Sequence, residues 1–307
     1  MATIELVKDK VKIDSQSGET ILESTLRNGI GHAHACGGNA LCSTCRVYIK
    51  DGEENLQPRT EEEEQLAKQL GLLPEVRLAC QTKIKGDIKI KRLVRDEVDE
   101  AIILKDGTSK KPRSLGVEKD ASILFIDIAD YTSFAENTPA YDVVHVLNRY
   151  FHITGKIIKR HGGKIIDYYG DGILAIFGLD DDPNHAQNLL NAGYEICDQI
   201  EEFDHDVHDL IDADFKIRLG AHSGPVIWGT IGIEGMQKEA AIGNTVNLAS
   251  RIENANKQLN TKFLCSEEFF NRLSNPCYVV SEHEIEAKGK KGKFKVFALD
   301  KLIPTLK

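Results

Sequence analysis

The sequence predicts an α+β protein built from two domains, and three observations lead there. The chain has 307 residues, a length that favours two domains over one. Residues 1–92 are strand-rich and place three of the seven cysteines in the short stretch HACGGNALCSTC. From residue 119 onward strands and helices alternate as β-α-β-β-α-β with further elements behind, the order of a ferredoxin-like core.

In the first region TIELV and VKID alternate apolar and polar residues, as a hairpin does. GETILESTLRNG reads as a helix: Ile21, Leu22, Thr25 and Leu26 share a face, and Gly29 stops it. TEEEEQLAKQLG is a second helix, with an acidic first turn that suits the positive end of the dipole and Gly71 at its end. DIKIKRL closes the region as a strand. Residues 93–118 form a joint: Val94, Val98 and Ile102 recur every four residues, as in a short transducer helix, and KDGTSKKPRS follows as a polar linker.

The domain of residues 119–307 opens with SILFIDI, a run of buried-strand type. YDVVHVLNRYFHITGKIIKRHGG is a long helix, and KIIDYYGDGILAIFG is two strands around a Gly-Asp-Gly turn. NHAQNLLNAGYEICDQIEEF is a helix, and FKIRLGAHSGPVIWGTIG reads as another strand pair. GNTVNLASRIENANK is a helix, and CYVVSEHEI and KFKVFAL complete a sheet.

The net charge of −9 argues against a nucleic-acid partner, which needs a basic face. No apolar run reaches the roughly 20 residues that span a bilayer. The N-terminal MATIELVKDKVKI alternates like a strand and lacks a signal-peptide core. A cytoplasmic protein is the expectation. In a reducing compartment the seven cysteines are metal ligands or buried thiols rather than disulfides.

Cys36, Cys42 and Cys45 follow the spacing C-x5-C-x2-C, and Cys80 in RLACQT comes 34 residues later. Four thiolates can ligate a 2Fe-2S cluster, and this spacing is close to the plant-type pattern. The intervening Gly37, Gly38, Ala40, Ser43 and Thr44 are small, so the loop can wrap closely and aim its N–H groups at the sulfurs. A structural zinc site, which usually shows two C-x2-C pairs, and a chance cluster of free thiols are the alternatives. Cys197, Cys265 and Cys277 fall on helix and strand patterns and read as buried residues. The first 90 residues, with the first gap, the long last gap and RLACQ, resemble adrenodoxin-type ferredoxins. That resemblance implies a β-grasp fold and a 2Fe-2S cofactor.

Asp127 ends an apolar strand in FIDIADYT, and Asp171 sits in the turn of YYGDGILAIF. On neighbouring elements of one sheet they can bind two divalent cations, as phosphoryl transfer uses. ADYT offers backbone N–H groups of Ala129, Asp130, Tyr131 and Thr132 to phosphates. An N-cap and a turn aspartate are the plain alternative. Asn247 and Arg251 lie four apart on one helix face, where an amide can meet a ribose oxygen and a guanidinium a phosphate gaining charge. Lys288, Lys290 and Lys291 in EAKGKKGKF can neutralise a triphosphate or simply line a solvated loop.

FIDIADYTSF, HGGKIIDYYGDGILAIFG, IRLGAHSG, IGNTVNLASRIE and KGK, in this order, resemble the class III nucleotidyl cyclase catalytic domain. The resemblance implies conversion of a purine nucleoside triphosphate to a 3′,5′-cyclic nucleotide and pyrophosphate. It implies two Mg2+ or Mn2+ ions per site, held at Asp127, Ile128 and Asp171. It implies a homodimer with sites at the interface, Asn247, Arg251 and Lys288 coming from the other subunit. The family reads its purine at the positions of Asp167 and Ala240. Neither fits the adenine pattern. The carboxylate of Asp167 can accept from the guanine N1–H and 2-amino group, which favours GTP over ATP. Pro225 after HSG stands where some relatives place a phosphate-binding Arg.

The covalent order suggests that the ferredoxin region, supplied by a redox partner, regulates the cyclase. A rival reading is an electron-transfer ferredoxin with a silent cyclase-like domain. A polymerase or diguanylate cyclase fits less well, for no GG[DE]EF-like stretch or basic groove is present.

Overall fold

The computed structural model describes residues 2–92, 116–211, 214–233, 235–275, 277–286 and 293–300. The expected transducer helix and linker, and Lys288, Lys290 and Lys291, lie outside them. The chain divides into two compact units between Val117 and Glu118.

In the first unit β1 (Ala2–Leu6) and β2 (Val11–Ser15) form the expected antiparallel hairpin. α1 (Ile21–Arg27), β3 (Arg46–Asp51), α2 (Glu61–Leu70), β4 (Val76–Leu78) and β5 (Ile88–Arg92) follow. The sheet order is β2-β1-β5-β3-β4, with β1 parallel to β5. A mixed sheet embracing one helix is the β-grasp arrangement that the first domain's resemblance implies. Ile4, Leu6, Ile21, Val47, Leu78 and Ile90 fill its core. Thr20 starts α1 with a capping box: its hydroxyl accepts from Glu23 N–H while the Glu23 carboxylate accepts from Thr20 N–H. Thr60 caps α2, and Gly71 ends it in the left-handed conformation at φ 63°.

α2 carries a buried charge that its acidic first turn does not advertise. Glu63 takes two bonds from Arg77, each 2.9 Å, and a third from Leu78 N–H at 2.7 Å. Both side chains are buried, so the pair is held by its bidentate geometry and locks α2 onto β4, two residues before Cys80.

In the second unit β6 (Val117–Ile128) leads through α3 (Tyr131–Asn137) into α4 (Ala140–Arg160). β7 (Gly163–Tyr169) and β8 (Gly172–Phe177) form the hairpin around Asp171, and α5 (His185–Ile211) returns the chain to β9 (Ile217–Ile231). The β9-β6-β8-β7 block is the βαββαβ core expected from the element order. β10 (Lys238–Ile242), α6 (Asn244–Leu259), β11 (Phe263–Ser266), α7 (Glu267–Phe270), β12 (Tyr278–Glu286) and β13 (Lys293–Asp300) extend it. The full order is β12-β13-β11-β9-β6-β8-β7, with β10 paired to β9. Leu124, Ile126, Tyr150, Ile158, Leu189 and Phe215 belong to the core beneath it.

One expectation is corrected. FKIRLGAHSGPVIWGTIG is a single long strand, not a strand pair. Its first half pairs with β11 up to Ala221, and its second half pairs with β10 from Ile227 onward. Pro225, which cannot donate to a ladder, falls between these two registers.

Candidate active site and candidate iron-sulfur loop

The cysteine loop runs from the end of α1 to β3. Gly37, Gly38 and Ala40 take positive φ, which folds the chain tightly around the thiols. The sulfurs associate two by two: Cys36 bonds with Cys42, and Cys45 lies 3.5 Å from Cys80. Burial opposes ionisation of Cys36, but Cys42 and the N–H groups of Leu41, Gly38 and Asn39 donate to its sulfur and hold it below the usual thiol range. Cys80 is lowered to about 6 by the Cys45 thiol against the cost of burial, with help from the Gln81 amide. Two pairs of sulfurs, ringed by backbone N–H donors, fit a group with two irons, each needing two protein thiolates. One tetrahedral zinc needs all four around a single point.

The loop is tied to its unit on both sides. His32 sits between Thr25 Oγ1, at 3.0 Å, and the Cys45 carbonyl, at 3.1 Å. Its burial lowers it to about 4, so it stays neutral. Arg92, the last described residue of β5, donates to the Gly31 carbonyl and pairs with Asp9.

The acidic site lies where β6 ends beside the β7–β8 turn. Gly170 takes φ 68°, and a Cβ on Gly172 would fall 2.2 Å from the Tyr169 ring, so the turn needs glycine at both places. The turn brings Asp171 onto β6: its Oδ2 accepts from Ile128 N–H at 3.2 Å, and its carboxyl shares a hydrogen bond with Asp127. Burial first, then the bond to and charge of Asp171, raise Asp127 to about 7, while Arg218 pulls it back. The pair lines a cleft of about 490 Å³ together with Asp130, Tyr131, Thr132 and Arg218. Among the described residues no three His, Cys, Asp or Glu side chains converge on one point. Two carboxylates still suit Mg2+ or Mn2+, which bind through one or two of them and take other oxygens from carbonyls and phosphates. Ile128, next to Asp127 on β6, lines the same cleft.

The cleft also holds residues that the motif reading did not single out. Glu253, Asn254 and Lys257 reach it from the C-terminal half of α6. Glu253 is only 4% exposed, and burial together with the charges of Asp127 and Asp171 raises it to about 7. It sits there because Gly220 has no side chain: a Cβ would fall 2.2 Å from Glu253 N. The signal was available in SRIE, two residues after Arg251, and in IRLG, which holds Arg218.

Other expected positions lie apart. Ala129 borders a neighbouring cleft, and its N–H already donates to the Lys216 carbonyl at 2.8 Å, so it is not open to a phosphate. Asn247 and Arg251 occupy the N-terminal half of α6 and do not line the acidic cleft of their own chain. Asp167 on β7 is also outside it, bonded to Lys238 at 2.6 Å, and Ala240 is buried on β10 opposite Gly229.

Residues 116–301 match the family model of the adenylate and guanylate cyclase catalytic domain, and the chain belongs to that family. Residues 4–85 match the 2Fe-2S iron-sulfur cluster binding domain, in the N- to C-terminal order expected. Adenylate cyclase 1 of Rhizobium meliloti (strain 1021) is 30% identical over 149 residues, which are 48% of this chain and 22% of that protein. The adenylate cyclase of Anabaena cylindrica is 34% identical over 157 residues, 50% of this chain and 31% of that one. The chain thus spans less than a third of the length of either relative. The solved guanylyl cyclase Cya2 superposes with a TM-score of 0.57 at 27% identity, covering 62% of this chain and 96% of that one. No helix among the described residues is long and apolar enough to cross a membrane.

Proposed function

We propose that the chain is a nucleotide cyclase that converts a purine nucleoside triphosphate to its 3′,5′-cyclic monophosphate and pyrophosphate, at sites completed by a second copy. The observation that carries this reading is the Asp127–Asp171 pair at the strand end, beside Ile128 and Arg218 in one cleft. Two divalent ions held there would activate the 3′ oxygen and offset charge on the leaving pyrophosphate. Asp127 and Asp171 orient and charge-balance that site, and Asp130, Tyr131 and Thr132 border its phosphate side. Glu253 is placed to hold a proton near neutral pH within the same cleft. Asn247 and Arg251 do not line it, which supports their service to the partner's cleft, and Lys288 is proposed for the same service. Ile227, Ile231, Ile233, Met236 and Ile242 stand exposed on β9, β10 and their connection, an apolar surface suited to a homodimer contact.

The purine assignment leans to GTP on the carboxylate of Asp167, and ATP is the competing substrate. The ferredoxin unit holds the four thiolates of a 2Fe-2S group and regulates the cyclase through residues 93–118, drawing on an electron donor in the cell. The protein acts in second-messenger signalling in the cytoplasm.

Product analysis by mass spectrometry, with equal ATP and GTP plus Mn2+, tests the reaction. A cyclic nucleotide with equimolar pyrophosphate is expected, with cyclic GMP in excess. Nucleotide left unchanged, or cleaved only to diphosphate, would overturn the cyclase reading. Equal activity of air-oxidised and dithionite-reduced protein would remove redox regulation and leave the cyclase.

A further inference from the structure

The sequence offers Asp167 as a lone carboxylate, but the fold does not leave it alone. Lys238 Nζ donates to Asp167 Oδ2 at 2.6 Å, and Tyr168 N–H donates to Oδ1 at 3.2 Å. The lysine comes from β10, 71 residues later. A second ion pair, Lys164 with Glu239, joins the same two strands. Asp167 and Lys238 are 43% and 57% exposed, so both retain open faces toward an incoming molecule. β10 runs through Gly243 directly into α6, the helix that carries Asn247 and Arg251. The pair is thus joined through a single strand to the helix that carries the groups assigned above to ribose and phosphate. Ala240, two residues after Lys238 and buried, adds no polar group.

Purines present opposite patterns at positions 1 and 6. Adenine has an acceptor at N1 and a donor at N6, whereas guanine has a donor at N1 and an acceptor at O6. A carboxylate alone accepts and prefers guanine's donors. A carboxylate beside an ammonium offers one acceptor and one donor, and the order in which they meet the base decides which purine fits. We propose that Lys238 is a specificity-determining residue of the cyclase and that purine choice is set by the Asp167–Lys238 pair rather than by Asp167 alone. The proposal rests on the cyclase reading above.

The test compares kcat/KM for GTP and ATP in the full-length protein with Mn2+. Lys238→Met frees the carboxylate, and the GTP-to-ATP ratio should rise by about tenfold or more. Lys238→Arg keeps the pair and should keep the ratio. The double exchange Asp167→Lys with Lys238→Asp reverses donor and acceptor and should invert the wild-type preference, whichever purine that is. Both side chains are half-exposed, so their pairing contributes little to stability and the variants should fold, as Trp228 fluorescence would show. A ratio within about twofold of wild type in Lys238→Met overturns the proposal. So does equal loss of both activities in a folded variant, for the pair would then only brace two strands. A wild-type protein that cyclises neither purine defeats the cyclase reading itself.

Discussion

Asp127→Asn separates what the acidic pair costs the fold from what it does for the reaction. Asp127 titrates near 7 rather than at the usual carboxylate value because it is partly buried against Asp171. Its folded pKa is raised, so the stability it contributes is complete below about pH 4 and is lost as pH rises through 7. A shift of this size corresponds to roughly 4 kcal/mol for a fully desolvated group, and partial exposure reduces that to about 2 kcal/mol. Asparagine keeps the shape and cannot ionise. In EDTA at pH 8 the variant should therefore be more stable than wild type by about 2 kcal/mol, roughly 4–8 °C in Tm for a domain of this size. At pH 4.5, close to the ordinary carboxylate value, the advantage should shrink to about 1 kcal/mol or less. Trp228, the chain's one tryptophan, lies on β9 and reports the cyclase unit alone. Cyclase activity should be lost in the same variant. An Asp127→Asn protein that is no more stable than wild type at pH 8, or equally favoured at both pH values, would refute the electrostatic account of the cleft.

Three further outcomes follow from other parts of the molecule. Arg77→Ala strands the buried Glu63 carboxylate and should cost about 3–5 kcal/mol, read as earlier loss of the visible iron-sulfur absorbance in guanidinium; an unchanged midpoint would show the pair to be dispensable. Mn2+ affinity, measured by titration calorimetry, should strengthen from pH 5.5 to 7.5 and then level, because Asp127 must give up a proton near 7; a flat profile contradicts the proposal of Asp127 as a ligand. If the cluster regulates the cyclase as proposed, Arg92→Met, which cuts the tie from β5 to Gly31, should bring the activities of oxidised and reduced protein closer together without altering the visible spectrum. An undiminished redox response would rule Arg92 out as a coupling residue.

Much of this architecture was legible in local patterns. The alternation in TIELV and VKID, the Gly71 stop and the Gly-Asp-Gly turn each state their conformation within a few residues. What escaped depends on contacts between distant segments. The β9 handover at Pro225 is set by two partners, β11 and β10, that the strand's own residues do not reveal. Glu63 read as one of four glutamates of an acidic first turn, and only its meeting with Arg77 sets it apart. Lys238 in MQKEAA was given no role by the sequence reading, and only the approach of β10 to β7 gives it Asp167. Glu253 was hidden for the same reason, since a buried carboxylate on α6 needs Gly220 on β9 to make room. The acidic pair was legible because both aspartates sit at chain reversals of one sheet. Asn247 and Arg251 were legible as a pair on one face, but not that neither of them lines its own chain's cleft.

The claim that a second copy completes the site is tested most directly by complementation. Asp127→Asn removes the metal half and Arg251→Ala the transition-state half, and each homodimer should be inactive. Co-expression makes about half the dimers mixed, each with one intact site of two, so about a quarter of wild-type activity should return. No recovery from mixed dimers whose formation is confirmed by mass spectrometry would contradict the account, as would full activity in either variant alone.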